Sequence, residues 1–227
     1  PKGAPFELEY IVVDGGSTDH TMDVLAPYRK EVATLISEPD KGLYDAMNKG
    51  LAAATGEVVG ILNADDFYAD AEVLADVAQA FLNPDVDAVY GDLHYVDAQD
   101  PQKVVRRWKA GTYQPGAFRR GWMPPHPALF IRRSCYHQWG GFTQTLRSAA
   151  DYELMLRFIH RHGMRLHYLP RTLVHMRAGG VGNASLGHRL RAHREDWEAW
   201  RMNGYLPSPF ALLAKPLRKL PQFLSRS

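Results

Sequence analysis

The 227-residue chain holds a single cysteine, Cys135, so a disulfide framework within it is excluded. A lone cysteine of this kind is expected as a small buried residue. No apolar run approaches the roughly 20 residues that a membrane-spanning helix needs. The opening Pro1-Lys2-Gly3-Ala4-Pro5 has neither the apolar stretch of a signal peptide nor an initiating methionine. A fragment of a longer chain and a reducing, cytoplasmic setting are therefore expected. Acids are missing from residues 101–135, which carry eight Lys/Arg, and from the tail after residue 206.

What is present suits a globular core. Hydrophobic residues make up 45% and charged residues 23%, which argues against disorder. The net charge of +2 hides a split. Residues 1–100 hold 5 Lys/Arg and 20 Asp/Glu, whereas 101–227 hold 22 and 5. An acidic half can hold a divalent cation, and a basic half can meet a phosphate, an acidic lipid surface or a nucleic acid. Alternatively, the halves neutralise each other on packing.

Residues 7–14 form an apolar run ending in an acid and are predicted to be a buried strand. Gly15-Gly16-Ser17-Thr18-Asp19 makes a tight turn with capping side chains. A helix follows, with Met22, Leu25 and Tyr28 at helical spacing. Residues 33–37 read as a strand and 38–42 as a loop. Residues 43–54 read as a helix with Tyr44, Met47, Leu51 and Ala54 on one stripe, stopped at Thr55-Gly56. A strand over 57–62 runs into Asn63-Ala64-Asp65-Asp66, and a helix over 71–81 and a strand over 88–90 follow. This alternation predicts a parallel sheet with right-handed crossovers, whose ligands sit beyond the carboxyl ends of the strands. Asp14, Asp65 and Asp66 fall at that edge, with Asp40 and Asp45 in or near the intervening loop. Such carboxylates are costly to gather without a cation or hydrogen-bond donors.

The second half is less regular. It reads as a hairpin from 94–97 and 103–108, a Gly-, Pro- and aromatic-rich loop over 109–127 and a strand over 128–132. A helix over 151–162, short strands at 166–169 and 172–175, and a basic helix over 185–202 complete it.

Three segments taken together carry a resemblance: Val13-Asp14-Gly15-Gly16-Ser17-Thr18-Asp19, Asp40-Lys41-Gly42-Leu43-Tyr44-Asp45-Ala46-Met47-Asn48-Lys49-Gly50, and Gly56-Glu57 leading into Leu62-Asn63-Ala64-Asp65-Asp66. In order and spacing the chain resembles family-2 glycosyltransferases over roughly residues 7–180. The resemblance implies an α/β fold of the GT-A type, a mainly parallel Rossmann-like sheet flanked by helices with a mixed acceptor-side subregion. It implies one such domain over 1–205, with a nucleotide-binding half over 1–100, an acceptor half over 101–205 and a basic, apolar tail over 206–227. The family's usual opening strand is missing, since this chain starts just before the second strand of the pattern. Unpaired neighbours are expected there.

The implied activity is transfer of a sugar from a UDP- or GDP-type nucleoside-diphosphate sugar to a hydroxyl of a glycan or lipid-linked acceptor. Inversion is expected, in cell-surface polysaccharide or glycolipid biosynthesis. The extra membrane spans and the Gln-x-x-Arg-Trp segment of processive members are not found, which favours addition of single sugars. Such chemistry must neutralise a departing diphosphate, for which Mg²⁺ or Mn²⁺ serves as Lewis acid, and must deprotonate an acceptor hydroxyl.

By the resemblance, Asp65 contacts the ribose, Asp66 the metal and Asp14 the base, while Lys41 and Asn48 line the nucleotide pocket. Plainer readings are turn capping for Asp14, a solvated loop charge for Lys41 and a helix-surface amide for Asn48. Asp151, preceding an apolar helix, fits the catalytic base. It also fits an N-cap, with Glu153 in the first turn as a secondary contact. His175 is a candidate further metal ligand, and Arg177, opening Arg177-Ala178-Gly179-Gly180-Val181-Gly182, a candidate diphosphate contact. Trp122 and His126 fall where the acceptor cleft is lined, and Asp92 is a candidate donor-sugar contact. The tail after residue 206, apolar and cationic, is a candidate contact with an anionic membrane surface. Two other readings are a nucleotide-binding but inactive relative and a nucleic-acid-binding module. The acidic first half argues against the latter, so no nucleic acid partner is expected.

Overall fold

The computed structural model describes residues 6–179 and 186–206, with side chains from 191 onward in the second stretch. In chain order the elements are β1 (Ile11–Asp14), α1 (Thr21–Leu25, prolonged by a 3₁₀ turn at Ala26–Tyr28), β2 (Thr34–Ser37), α2 (Leu43–Ala53), β3 (Val58–Gly60), β4 (Phe67–Tyr68), α3 (Val73–Ala80), β5 (Ala88–Val96) and β6 (Val104–Trp108). Then follow β7 (Leu129–Arg132), α4 (Arg133–Trp139), α5 (Ala150–Met155, continued by a π-turn at Leu156–Arg161), β8 (Leu166–Arg177) and α6 (Leu186–Met202). The glycines at 180 and 182, the five N-terminal residues and the tail over 207–227 lie outside the described residues.

The α/β fold class holds, with a mixed pairing pattern. β1 and β2 pair in parallel as a sheet of two. The other six strands form one sheet in the order β3, β7, β5, β8, β4, with β6 added to β5. Its spine is β5 parallel to β8. The pairs β3–β7, β5–β7, β5–β6 and β4–β8 are antiparallel. The parallel pairing predicted over 7–90 thus reaches only β1–β2 within that stretch. β3 instead takes its neighbour from the second half. Gly60 permits this, because the Phe130 ring lies where a Cβ would be, 2.6 Å away. Among the described residues no backbone pairing joins β1 to β3. The Glu9 carboxylate ties the two regions, accepting from the Thr55 amide and hydroxyl and the Gly56 amide at 2.8–3.0 Å.

The two short strands predicted at 166–169 and 172–175 are one strand, β8. Leu169 stands opposite Gly91 and Thr172 opposite Asp92, so Pro170 and Arg171 bulge out of the ladder. Proline has no N–H for a ladder bond, so a bulge accommodates it. On one side of the sheet Val73, Val77 and Phe81 pack against Val89, Leu93, Phe130 and Leu173. A second cluster joins Tyr44 and Met47 of α2 with Tyr90, Trp122, Leu154, Phe158 and Trp200. Cys135 is buried, as expected.

Opposite charges of the two halves pair with one another. Arg132 pairs with Glu57 and donates to the carbonyls of Phe81, Asn83 and Val86. Arg165 pairs with Asp85 and Asp87, and Arg171 with Asp70 and Asp76. These arginines knit the acidic α3 region to β7 and β8, so part of the basic half is spent on internal pairing.

α6 packs on α5. The Glu195 carboxylate accepts the Ser148 amide at 2.6 Å, and the Trp200 indole N–H donates to the Tyr152 hydroxyl at 3.0 Å. Glu153, expected as a donor or acceptor contact, is instead 3% exposed. Its oxygens each accept from Arg157 at 3.0 Å, and Oε1 also from Asn203 at 3.1 Å. An acid in the first turn of a helix can point inward as easily as outward, and here Arg157 one turn later draws it in. Arg157 also donates to the carbonyls of Trp139, Gly140 and Gly141. Arg157→Ala strands a buried carboxylate and is expected to cost about 3–5 kcal/mol, read as a lower urea midpoint.

Candidate active site

Each sequence candidate has a distinct environment. Asp14, at the end of β1, accepts from the amides of Gly16 and Ser17 and from the hydroxyls of Ser17 (2.5 Å) and Ser37 (2.7 Å). Those hydroxyls, foremost, hold its carboxyl below the usual range. Both Asp14 oxygens are engaged, by the turn after β1 and by Ser37 at the end of β2, which fits the turn-capping reading. Lys41 is exposed, and its amide donates to Asp45 at 3.0 Å. Asn48 ties α2 to the segment before α5. Its side-chain amide donates to the Phe142 carbonyl at 2.8 Å and accepts the Phe142 amide at 2.9 Å. Trp122 is buried in the protein core. It is 7% exposed, donates to the Ala110 carbonyl at 2.8 Å and packs against Tyr90, Tyr113 and Phe118. An indole inside a segment rich in Gly and Pro is the segment's own core.

Asp65 is exposed and Asp66 buried, at the turn between β3 and β4. One Asp66 oxygen accepts from the Asn63 amide group at 3.0 Å, while Oδ1 is buried with no hydrogen-bond partner. A hard oxygen donor left unsatisfied in this way matches what a divalent cation takes. Burial pushes the Asp66 carboxyl up to about 6, against the Asn63 hydrogen bond and with the help of Asp65. The antiparallel β4–β8 pair sets Phe67, the residue after Asp66, opposite His175. The His175 ring meets Phe67 edge-on at 5.2 Å and stacks with His94 at 5.6 Å. Burial lowers the pKa of both imidazoles. Arg177 lies over Phe67 at 5.7 Å. Among the described residues, no three His, Cys, Asp or Glu side chains cluster as a ligand set.

Asp151 opens α5 and accepts the Tyr44 hydroxyl at 3.0 Å. Phe142 lies beside them, stacked on Tyr44 at 5.8 Å and met edge-on by His126 at 5.6 Å. Burial lowers the His126 pKa against the pull of Asp151. Asp92 accepts from the Ala110 amide at 2.8 Å and the Tyr168 hydroxyl at 2.7 Å.

Tyr95 lies on β5, with the Arg106 guanidinium 4.4 Å over its ring. Its phenol is raised first by burial, against the Arg106 charge. Sequence reasoning missed Tyr95, and it placed Tyr44 only on an apolar stripe. The one available signal was Tyr44's position inside the 40–50 motif.

The raised Asp66 pKa fixes the sign of a pH effect. The folded state binds the proton more tightly than the unfolded state, so metal-free protein loses stability as pH rises from about 4 through about 6. A shift of this size corresponds to about 3 kcal/mol. In EDTA, the stability difference between Asp66→Asn and wild type should grow by that order across the window, measured by urea unfolding.

Comparison with known proteins bears on the family and the fold. Glycosyl transferase family 2 matches residues 4–152. A Mycobacterium bovis PGL/p-HBAD biosynthesis glycosyltransferase is 32% identical over 185 residues, covering 78% of this chain and 68% of that protein. The O-antigen biosynthesis protein RfbC of Myxococcus xanthus is 29% identical over 197 residues, 81% of this chain but 14% of its own length. Among solved structures, S. aureus TarS in complex with UDP-GlcNAc superposes with a TM-score of 0.63 at 18% identity, over 98% of this chain and 65% of that one. The mannosyltransferase PcManGT of Pyrobaculum calidifontis, in complex with GDP-Man and Mn²⁺, gives 0.60 at 23% identity, over 96% and 64%. The fold is that of GT-A glycosyltransferases, and the chain belongs to glycosyl transferase family 2.

Proposed function

We propose that the protein transfers a sugar from a nucleoside-diphosphate sugar to an acceptor hydroxyl with inversion, using Asp151 as the base and Asp66 on the diphosphate side. The observation that carries this reading is the state of these two carboxylates within a family 2 chain. One of these carboxylates has a buried, unsatisfied oxygen, and the other is backed by a phenol donor. The donor class is supported by the UDP-GlcNAc and GDP-Man complexes of the structural neighbours. A glycan or lipid-linked acceptor is supported by the names of the relatives, which refer to PGL/p-HBAD and O-antigen biosynthesis.

Asp66 would hold Mg²⁺ or Mn²⁺ through Oδ1, with neutral His175 as a candidate second ligand. A bound cation supplies Lewis-acid neutralisation of the diphosphate. Arg177 would add a guanidinium beside it, and Asp65 and Lys41, both exposed, would meet the ribose and the nucleotide. Asp151 takes the proton of the acceptor hydroxyl as that oxygen bonds to the anomeric carbon on the face opposite the diphosphate. His126 and Asp92 lie on the sugar-binding side in this reading. Among the described residues no helix is long and apolar enough to cross a membrane. We assign the tail after residue 206 to an anionic membrane surface, where a lipid-linked acceptor would be met.

Asp66→Ala and Asp151→Asn should each lower transfer at least 100-fold while the far-UV spectrum stays unchanged. A thermal-shift panel of UDP- and GDP-sugars with Mn²⁺ should single out one donor by a rise in Tm. Full transfer by either variant, or no response to any nucleotide sugar, would overturn the reading.

A further inference from the structure

The partner of Asp151 comes from the first half of the chain: the Tyr44 hydroxyl, 107 residues away. Tyr44 lies in the first turn of α2, directly after the 40–42 loop, and is 8% exposed. The hydroxyl donates to Oδ1 of Asp151 at 3.0 Å, in the first turn of α5. The phenol thus engages the base and the start of its helix together.

The ring is fixed as firmly as the hydroxyl. It stacks on Phe142 with an interplanar angle of 21°. The Phe142 backbone is in turn gripped at both its amide and its carbonyl by the Asn48 side chain, one helical turn after Tyr44 on α2. This grip requires a close approach. A Cβ on Gly141 would lie 2.5 Å from the Asn48 oxygen. One helix therefore supplies both the phenol that holds the carboxylate and the amide that fixes the ring against which the phenol rests. Burial, and then the Asp151 charge, raise the Tyr44 phenol above its ordinary range, so it remains a donor at any working pH.

We infer that Tyr44 is a positioning residue for Asp151, with Asn48 acting through Phe142 to hold Tyr44 in place. The inference rests on the reading of Asp151 as the base. A carboxylate with one oxygen fixed by a neutral donor presents the other in a set direction, and base catalysis depends on that alignment. Because α2 begins at the loop carrying Lys41, the alignment of the base is mechanically continuous with the loop proposed to meet the nucleotide.

The test uses release of UDP from UDP-GlcNAc, or of GDP from GDP-mannose, with Mn²⁺ and water as acceptor. The nucleotide Kd is measured in parallel by calorimetry. Tyr44→Phe keeps the ring and its stack and removes only the hydroxyl. It should lower kcat about tenfold, leave KM for the donor and the nucleotide Kd within twofold, and move the acid limb of the kcat–pH profile upward. Asn48→Ala should lower kcat in the same direction with the Kd again unchanged, which covers the case of a poorly folding Tyr44→Phe. A tyrosine that merely fills space would leave the kcat–KM split and the acid limb unmoved, and that result overturns the inference. Asp151→Asn runs alongside as a control. If Asp151→Asn is inactive and Tyr44→Phe behaves as wild type, the positioning role alone fails. If Asp151→Asn retains full activity, the assignment of the base fails and the positioning role with it.

Discussion

The site depends on the parallel pairing of β5 with β8. This pair runs through the middle of the mixed sheet and decides what can meet at its edge. β8 carries His175 and, through β4, fixes the turn that holds Asp66. β5 carries Asp92, His94 and Tyr95, and through β6 brings the Arg106 guanidinium onto Tyr95. The extra Pro170 and Arg171 in β8 adjust the register in the middle of this pair, so that His94 and His175 end side by side. A slip of one residue would send each side chain to the opposite face of the sheet.

Two carboxylates of the first half show how environment divides the work among acids of one type. Asp14 is surrounded by hydroxyl and amide donors, which favour its charged form and lower its pKa. Asp66 is as deeply buried but has one hydrogen-bonded oxygen and one bare one, and its pKa rises. The first arrangement is self-sufficient and stabilises a turn. The second is incomplete by itself, and an incompletely satisfied buried acid is where a cation or proton has the most to offer.

The strong charge split along the sequence is largely structural in its effect. Arg132, Arg165 and Arg171 point back to acids and carbonyls of the first half, and Arg157 caps the loop before α5. Guanidinium groups suit this use, since each can reach several carbonyl and carboxylate oxygens in one plane.

The sequence by itself determined the order of elements over 7–90 apart from the short β4, the α/β class and the family, because periodicity, turn chemistry and the spacing of Asp14, Asp40–Gly50 and Asp65-Asp66 are local properties. It also marked Asp66 and Asp151 as the acids to watch. It read Asn48, Trp122 and Glu153 as site residues and did not show their partners within the protein, because an amide, an indole or a carboxylate looks the same in sequence whether it meets a ligand or a backbone. Only tertiary structure decided that Glu153 turns inward to Arg157, that Asn48 grips Phe142, that β3 pairs with β7, and that Tyr44 reaches Asp151. The reason is physical. Strand partners and buried hydrogen bonds join residues distant in the chain, and their geometry is set by packing that no local pattern encodes.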